Sequence, residues 1–129
     1  MNIGAIGEHI AANYMSELGY KILDKNFRIR GGEIDIVALE ILPKELAEES
    51  TLIFVEVKTR TQQSFGSGVD AITINKKRFL KRTMSEYLQR QKSSQINFSK
   101  IRFDVIDLTL DVKNLLVKKI LHIKNVDMG

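Results

Sequence analysis

The sequence predicts a single α/β domain, spanning residues 1–129, in which a mixed sheet of about five strands lies between helices in the order α-β-β-β-α-β-β. Three observations carry that prediction. An amphipathic run near the start is closed by a glycine, two β-leaning runs are split by Gly31-Gly32, and the strongly β-forming decapeptide Thr51 to Arg60 precedes a second, basic helix. At 129 residues, with 43% hydrophobic and 28% charged side chains, the chain is about one domain's worth and long enough to bury a core.

Each element has its own signal. From about Gly4 to Leu18 the apolar residues Ile6, Ile10, Tyr14 and Leu18 step by four, with Ala11 and Met15 beside them, and Gly19 stops the helix. Tyr20 to Arg30 and Glu33 to Ile41 read as a hairpin. The polar stretch Leu42 to Ser50 holds the sole proline, Pro43, and leads into the strand Thr51 to Arg60. After the breaker-rich Thr61 to Gly68, a helix runs from about Ile72 to Gln91 with Ile72, Leu80, Thr83, Met84 and Tyr87 as its buried stripe. Two further strands, Ile101 to Leu108 and Leu116 to Ile123, close the chain.

Composition removes several function classes. Without cysteine there is no disulfide framework, thiolate nucleophile or cysteine zinc site. His9 and His122 are too far apart in sequence to give a ligand spacing. No apolar run spans a bilayer and no secretory pattern opens the chain, so the expectation is a cytoplasmic protein with no membrane partner. A homodimer is compatible with this composition.

Charge is unevenly distributed. Between Lys76 and Lys92 seven basic residues face one acid, a local charge of +6 in a chain of net +4, which leaves the remainder at −2. Lys76 falls within the apolar stripe, whereas Arg78, Lys81 and Arg82 project the other way. Such a face fits a polyanion surface, and fits plain solvated helix as well.

Strand parity points to a site. In Thr51 to Arg60 the residues Leu52, Phe54, Glu56, Lys58 and Arg60 share one side, with Glu56 and Lys58 about 7 Å apart. In the preceding strand Asp35 shares a face with Glu33, Val37, Leu39 and Ile41. Half-buried carboxylates are costly unless paired or bound to a cation. If the two strands are neighbours with these ends level, Asp35 and Glu56 converge beside Lys58, a set able to hold Mg2+ or Mn2+. A simple Glu56–Lys58 ion pair fits the same spacing. Glu8 lies on the flank of the first helix that carries Ala11 and Met15, where it can lean over the sheet or act as a first-turn acid.

The remaining candidates are weaker. Arg102 and Asp104 share a strand face and are expected to form an ion pair. The aromatic residues stand mostly at core-periodic positions, which argues against a base-stacking platform, Phe65 beside Gly66 being the exception.

Taken together, Gly4-x-x-Gly7-Glu8-x-x-Ala11, Gly32-Glu33-Ile34-Asp35-Ile36-Val37, Phe54-Val55-Glu56-Val57-Lys58-Thr59-Arg60, Phe65-Gly66, Lys76 and Ile101-Arg102-Phe103-Asp104-Val105 resemble the YraN family of small bacterial proteins, within the PD-(D/E)XK nuclease-like superfamily. The resemblance runs over nearly the whole chain, although Ile34 stands where the superfamily's name has proline. It implies a restriction endonuclease-like core in which Asp35 and Glu56 ligate Mg2+, Lys58 orients or activates the attacking water, and Glu8 completes the acidic cluster.

The leading expectation is therefore a metal-dependent nuclease that hydrolyses DNA phosphodiesters and selects structure rather than base sequence. Its catalytic residues would be Glu8, Asp35, Glu56 and Lys58, with Lys76, Arg78, Lys81 and Arg82 on the nucleic acid. The alternative is a non-catalytic or weakly active nucleic-acid-binding or adaptor module on the same fold.

Overall fold

The computed structural model describes residues 2–61, 72–91 and 96–129. Its elements are α1 (Ile3–Glu17), β1 (Lys21–Ile29), β2 (Gly32–Leu39), a 3-10 turn (Lys44–Glu49), β3 (Thr51–Arg60), α2 (Ile74–Arg90), β4 (Lys100–Asp111) and β5 (Leu116–Ile123). The order α-β-β-β-α-β-β is the one the sequence predicts, with α2 starting two residues later than expected and β4 running three further. The strands form one sheet in the order β1-β2-β3-β4-β5. Only β3 and β4 are parallel, joined by the crossover that contains α2; the other pairs are antiparallel. Phe65 and Gly66 lie outside the described residues.

Each face of the sheet buries its own core. On one side Ala11, Ala12 and Met15 of α1 pack against Ile36, Ala38, Ile53, Val55, Ile106 and Leu108. On the other, Leu80 and Tyr87 of α2 pack against Ile34, Val37, Leu52, Phe54, Phe103 and Val105. The odd residues of β3 serve one helix and the even ones the other, as pleat alternation requires. Asn2 caps α1 by accepting from the Ala5 N–H at 3.0 Å, and Thr73 caps α2 by accepting from the Lys76 N–H at 3.1 Å.

The buried face of α1 differs from the sequence reading. Gly7, Ala11, Ala12 and Met15 are buried, while Ile6 and Leu18 are 38% and 54% exposed. Close approach decides the rotation. A Cβ at Gly7 would collide with the Thr59 side chain of β3, so the helix presents its small residues to the sheet.

Alternation in β2 also departs from a flat ladder. Ile34 packs on the α2 side and Ile36 on the α1 side, so the strand switches faces at Asp35. Its partner β1 switches too: Phe27, paired with Ile34, packs on the α2 side, whereas Lys25 pairs with Ile36. Between them Asn26 takes φ 55°, a left-handed conformation that asparagine tolerates better than most residues. Glu33 is thereby turned toward α1, away from the face it was expected to share with Val37.

The expected Arg102–Asp104 pair is present and larger than the two-residue spacing suggests. Arg102 donates from Nε at 2.8 Å and from Nη2 at 3.0 Å to the fully buried Asp104 carboxylate. His122 Nε2 of β5 lies 2.7 Å from the same group, and the Asn125 N–H donates to it at 3.0 Å. Tyr14 of α1 reaches His122 Nδ1 at 3.2 Å. Burial opposes the charge on Asp104, yet the His122 and Arg102 bonds hold its pKa below the usual carboxylate range.

Candidate functional site

At the start of β2 and the C-terminal half of β3, five of the predicted residues meet. The β2–β3 register ends with Ile36 opposite Val55. One position further on, Asp35 Oδ2 accepts the main-chain N–H of Val57 at 2.8 Å. Asp35 and Glu56 line one open cleft of about 290 Å3, together with Glu33, Lys76, Phe79 and the Gly31-Gly32 turn.

Two groups of charge meet at this cleft, Glu8 and Lys58 contacting its lining residues from beside it. Carboxylate oxygens of Glu8, Glu33 and Asp35 lie within 4.8 Å of one another, the set among the described residues whose spacing suits a metal ion. Glu56, its side chain only 12% exposed, instead faces two ammonium groups, Lys76 Nζ at 3.2 Å and Lys58 Nζ at 3.6 Å, both on Oε1. The sequence leaves open whether Glu33 and Lys76 reach the cluster. Glu33 joins the acidic trio, and Lys76 binds Glu56 from the first turn of α2.

Electrostatics follow from this crowding. Desolvation, then the negative charges of Glu56, Glu8 and Glu33, push the Asp35 pKa up to about 7, against the Val57 bond that favours its ionised form. Burial and the neighbouring Lys76 lower the Lys58 pKa from its ordinary value, with Glu56 pulling the other way. Burial also works against the charge on Lys76, but contact with Lys58 and the carboxylates Glu56 and Asp35 leaves its pKa raised. One carboxyl is thus poised near neutrality, and one amine loses its proton more readily than a free lysine.

Asn26 is a neighbour that sequence reasoning missed. In the amide orientation its surroundings demand, it donates to Glu8 Oε2 at 2.8 Å and Glu33 Oε1 at 3.2 Å. A left-handed residue inside a strand leaves no trace in hydrophobic periodicity; only the asparagine amid β-formers hints at it.

The basic helix divides in use. Arg78 and Lys81 are exposed on the outer face of α2. Arg82 is bound into the structure: its Nη2 donates to the Arg30 carbonyl at 3.2 Å, and its guanidinium sits 5.3 Å over the Phe79 ring. It therefore steadies the β1–β2 turn instead of projecting freely. Phe79 is 47% exposed on the rim of the cleft, an exception among aromatics that stand mostly at core-periodic positions.

A mixed five-stranded sheet between two helices, with carboxylates and lysines gathered where β2 and β3 leave their shared ladder, defines an α/β protein compatible with a restriction endonuclease-like core. The chain belongs to the uncharacterised protein family UPF0102, whose model matches residues 7–108. This is the YraN family that the sequence motifs resemble. The chain is 41% identical to a UPF0102 protein of Caldicellulosiruptor saccharolyticus over 87% of its length and 86% of the relative's. It is 38% identical to one from Caldanaerobacter subterraneus subsp. tengcongensis, covering 95% of this chain and 92% of that one. With the protein of Alkaliphilus oremlandii it shares 39% identity over 95% of both. Among the described residues no helix is long and apolar enough to cross a membrane.

Proposed function

We propose that this protein is a Mg2+- or Mn2+-dependent nuclease that hydrolyses DNA phosphodiester bonds and selects its substrate by structure. The observation that carries the reading is the convergence of carboxylate oxygens of Glu8, Glu33 and Asp35, the last two lining a cleft together with Glu56 and Lys76. The donor set fits such an ion. All its ligands are hard carboxylate oxygens, and Asp35, raised to a pKa of about 7 first by burial and then by the negative charges of Glu56, Glu8 and Glu33, stands in a charge environment that a divalent cation would in part relieve.

Asp35 would hold the ion with Glu8 and Glu33, and Glu56, on the same cleft as Asp35, would join them by giving up one of its two lysines. A bound divalent cation there supplies Lewis-acid polarisation of the phosphate and a lowered water pKa. Lys58 Nζ, 3.6 Å from Glu56 Oε1, would orient or activate the attacking water. Lys76 Nζ offsets charge on the phosphate while keeping Glu56 in place. Arg78 and Lys81 hold neighbouring backbone phosphates, contacts that position a strand without reading its bases.

One observation favours a second reading, a nucleic-acid-binding module without turnover. Glu56 is satisfied by two lysines, as a purely structural ion-pair cluster would be. Cleavage decides between them. Labelled linear, single-stranded and branched DNA is incubated with the protein in Mg2+, Mn2+ or EDTA, beside Glu56→Ala and Lys58→Met. Metal-dependent products lost in both variants support the nuclease. Binding without products, or products that both variants still make, refutes it.

A further inference from the structure

Among the described residues, Phe79 is an aromatic side chain that the fold leaves exposed. It stands 47% exposed on the wall of the cleft that holds Asp35, Glu56 and Lys76. Its backbone is held within α2 and its ring is held from one side. The α2 backbone carries it, the Thr83 hydroxyl donates to its carbonyl at 2.8 Å, and Arg82 covers part of the ring while tied to the Arg30 carbonyl. A half-wetted phenyl with a guanidinium behind it is a flat, pre-organised surface, and bases stack on aromatic and guanidinium planes alike.

Substrate geometry limits what can lie there. A cleft of about 290 Å3 sits near the ~300 Å3 lower bound of small-ligand sites, room for a nucleotide unit but not for a base pair inside it. A base within duplex DNA keeps both faces stacked on its neighbours, whereas an unpaired base has a face to offer. We propose that Phe79, backed by Arg82, stacks on an unpaired nucleobase flanking the phosphate at the acidic site, so that the protein takes DNA with unpaired bases there in preference to continuous duplex. The identity of that phosphate as the scissile one rests on the nuclease reading; base capture itself needs no hydrolysis.

The test is binding in EDTA at fixed salt. A single strand bearing 2-aminopurine and a fully paired duplex of the same sequence are titrated with wild type, Phe79→Ala and Phe79→Trp. Stacking quenches the probe in the single strand, and Phe79→Ala abolishes the quench and weakens single-strand affinity by roughly 5- to 100-fold. Phe79→Trp keeps both, and duplex affinity is the same for all three proteins. Equal losses on single strand and duplex, or an unchanged quench in Phe79→Ala, overturn the proposal. A quench that persists where Mg2+ produces no cleavage removes the nuclease reading alone, and cleavage with an indifferent Phe79→Ala removes base capture alone.

Discussion

The main-chain N–H of Val57 donates to Asp35 Oδ2 at 2.8 Å, so the residue between Glu56 and Lys58 anchors the carboxylate of the neighbouring strand. This bond takes over one position beyond the last β2–β3 ladder pair, where the two strands would otherwise exchange main-chain bonds. It sets Asp35 against three other carboxylates in a place where burial opposes its charge and the Val57 bond favours it. The site is therefore strained electrostatically, and that strain is measurable.

Stability of the metal-free protein should fall as pH rises from about 4 to 7. The folded-state pKa of Asp35 is about 7 and the ordinary value 3.8, so across that window the folded chain binds more protons than the unfolded one. The full shift corresponds to an upper bound of about 4 kcal/mol. Thermal unfolding in EDTA at pH 5 and pH 8 measures it. Asp35→Asn keeps an acceptor for Val57 and should flatten the difference; a slope identical to wild type would show that Asp35 is not its source.

The two lysines should separate kinetically if the nuclease reading holds. Lys58→Met is expected to reduce cleavage by roughly 100- to 10,000-fold while DNA affinity persists. Lys76 lowers the Lys58 pKa, so Lys76→Met should shift the ascending limb of the pH–rate profile to higher pH. An unmoved limb with a reduced rate would assign Lys76 to phosphate binding alone.

Gly7→Ala should destabilise the fold by about 1–3 kcal/mol, because the new methyl group meets the Thr59 side chain across the α1–β3 contact. An alanine in mid-helix ordinarily stabilises by up to about 1 kcal/mol, so the sign itself is diagnostic. Thr59→Ala should recover part of the loss in the double variant, and additive effects in denaturant titrations would speak against direct contact.

Asp104→Ala should cost about 3–5 kcal/mol, since it strands a largely but not fully buried guanidinium and removes the acceptor shared by His122 and Asn125. The same carboxylate makes the clasp acid-labile. Its folded pKa lies below 3.8, so its contribution is present above that value and is lost as pH falls through the lower, folded one. Combining Asp104→Ala with Arg102→Met should cost less than the sum of the single changes.

Much of this arrangement is legible in the sequence because its signals are periodic. A period of 3.6 places Lys76 on the buried stripe with Leu80, Thr83 and Tyr87, and a period of 2 sets Glu56 beyond Leu52 and Phe54. What escapes is the departure from period. Asn26 and Asp35 turn their strands over, and with them Glu33 reaches Glu8. The inner face of α1 escapes for another reason: bulk marks a hydrophobic stripe, yet contact at Gly7 demands its absence. Likewise Arg102 and Asp104 reveal each other by spacing, whereas His122, 18 residues from Asp104, joins them only through the β4–β5 register.

The central claim is that the carboxylates around Asp35 form a divalent-cation site, and anomalous diffraction from crystals soaked in Mn2+ tests it without reference to turnover. The account predicts a peak bounded by the carboxylates of Asp35, Glu8 and Glu33, with Glu56 on the same cleft, absent in Asp35→Asn. A cleft free of anomalous density, with Glu56 still clasped by Lys58 and Lys76, would contradict it.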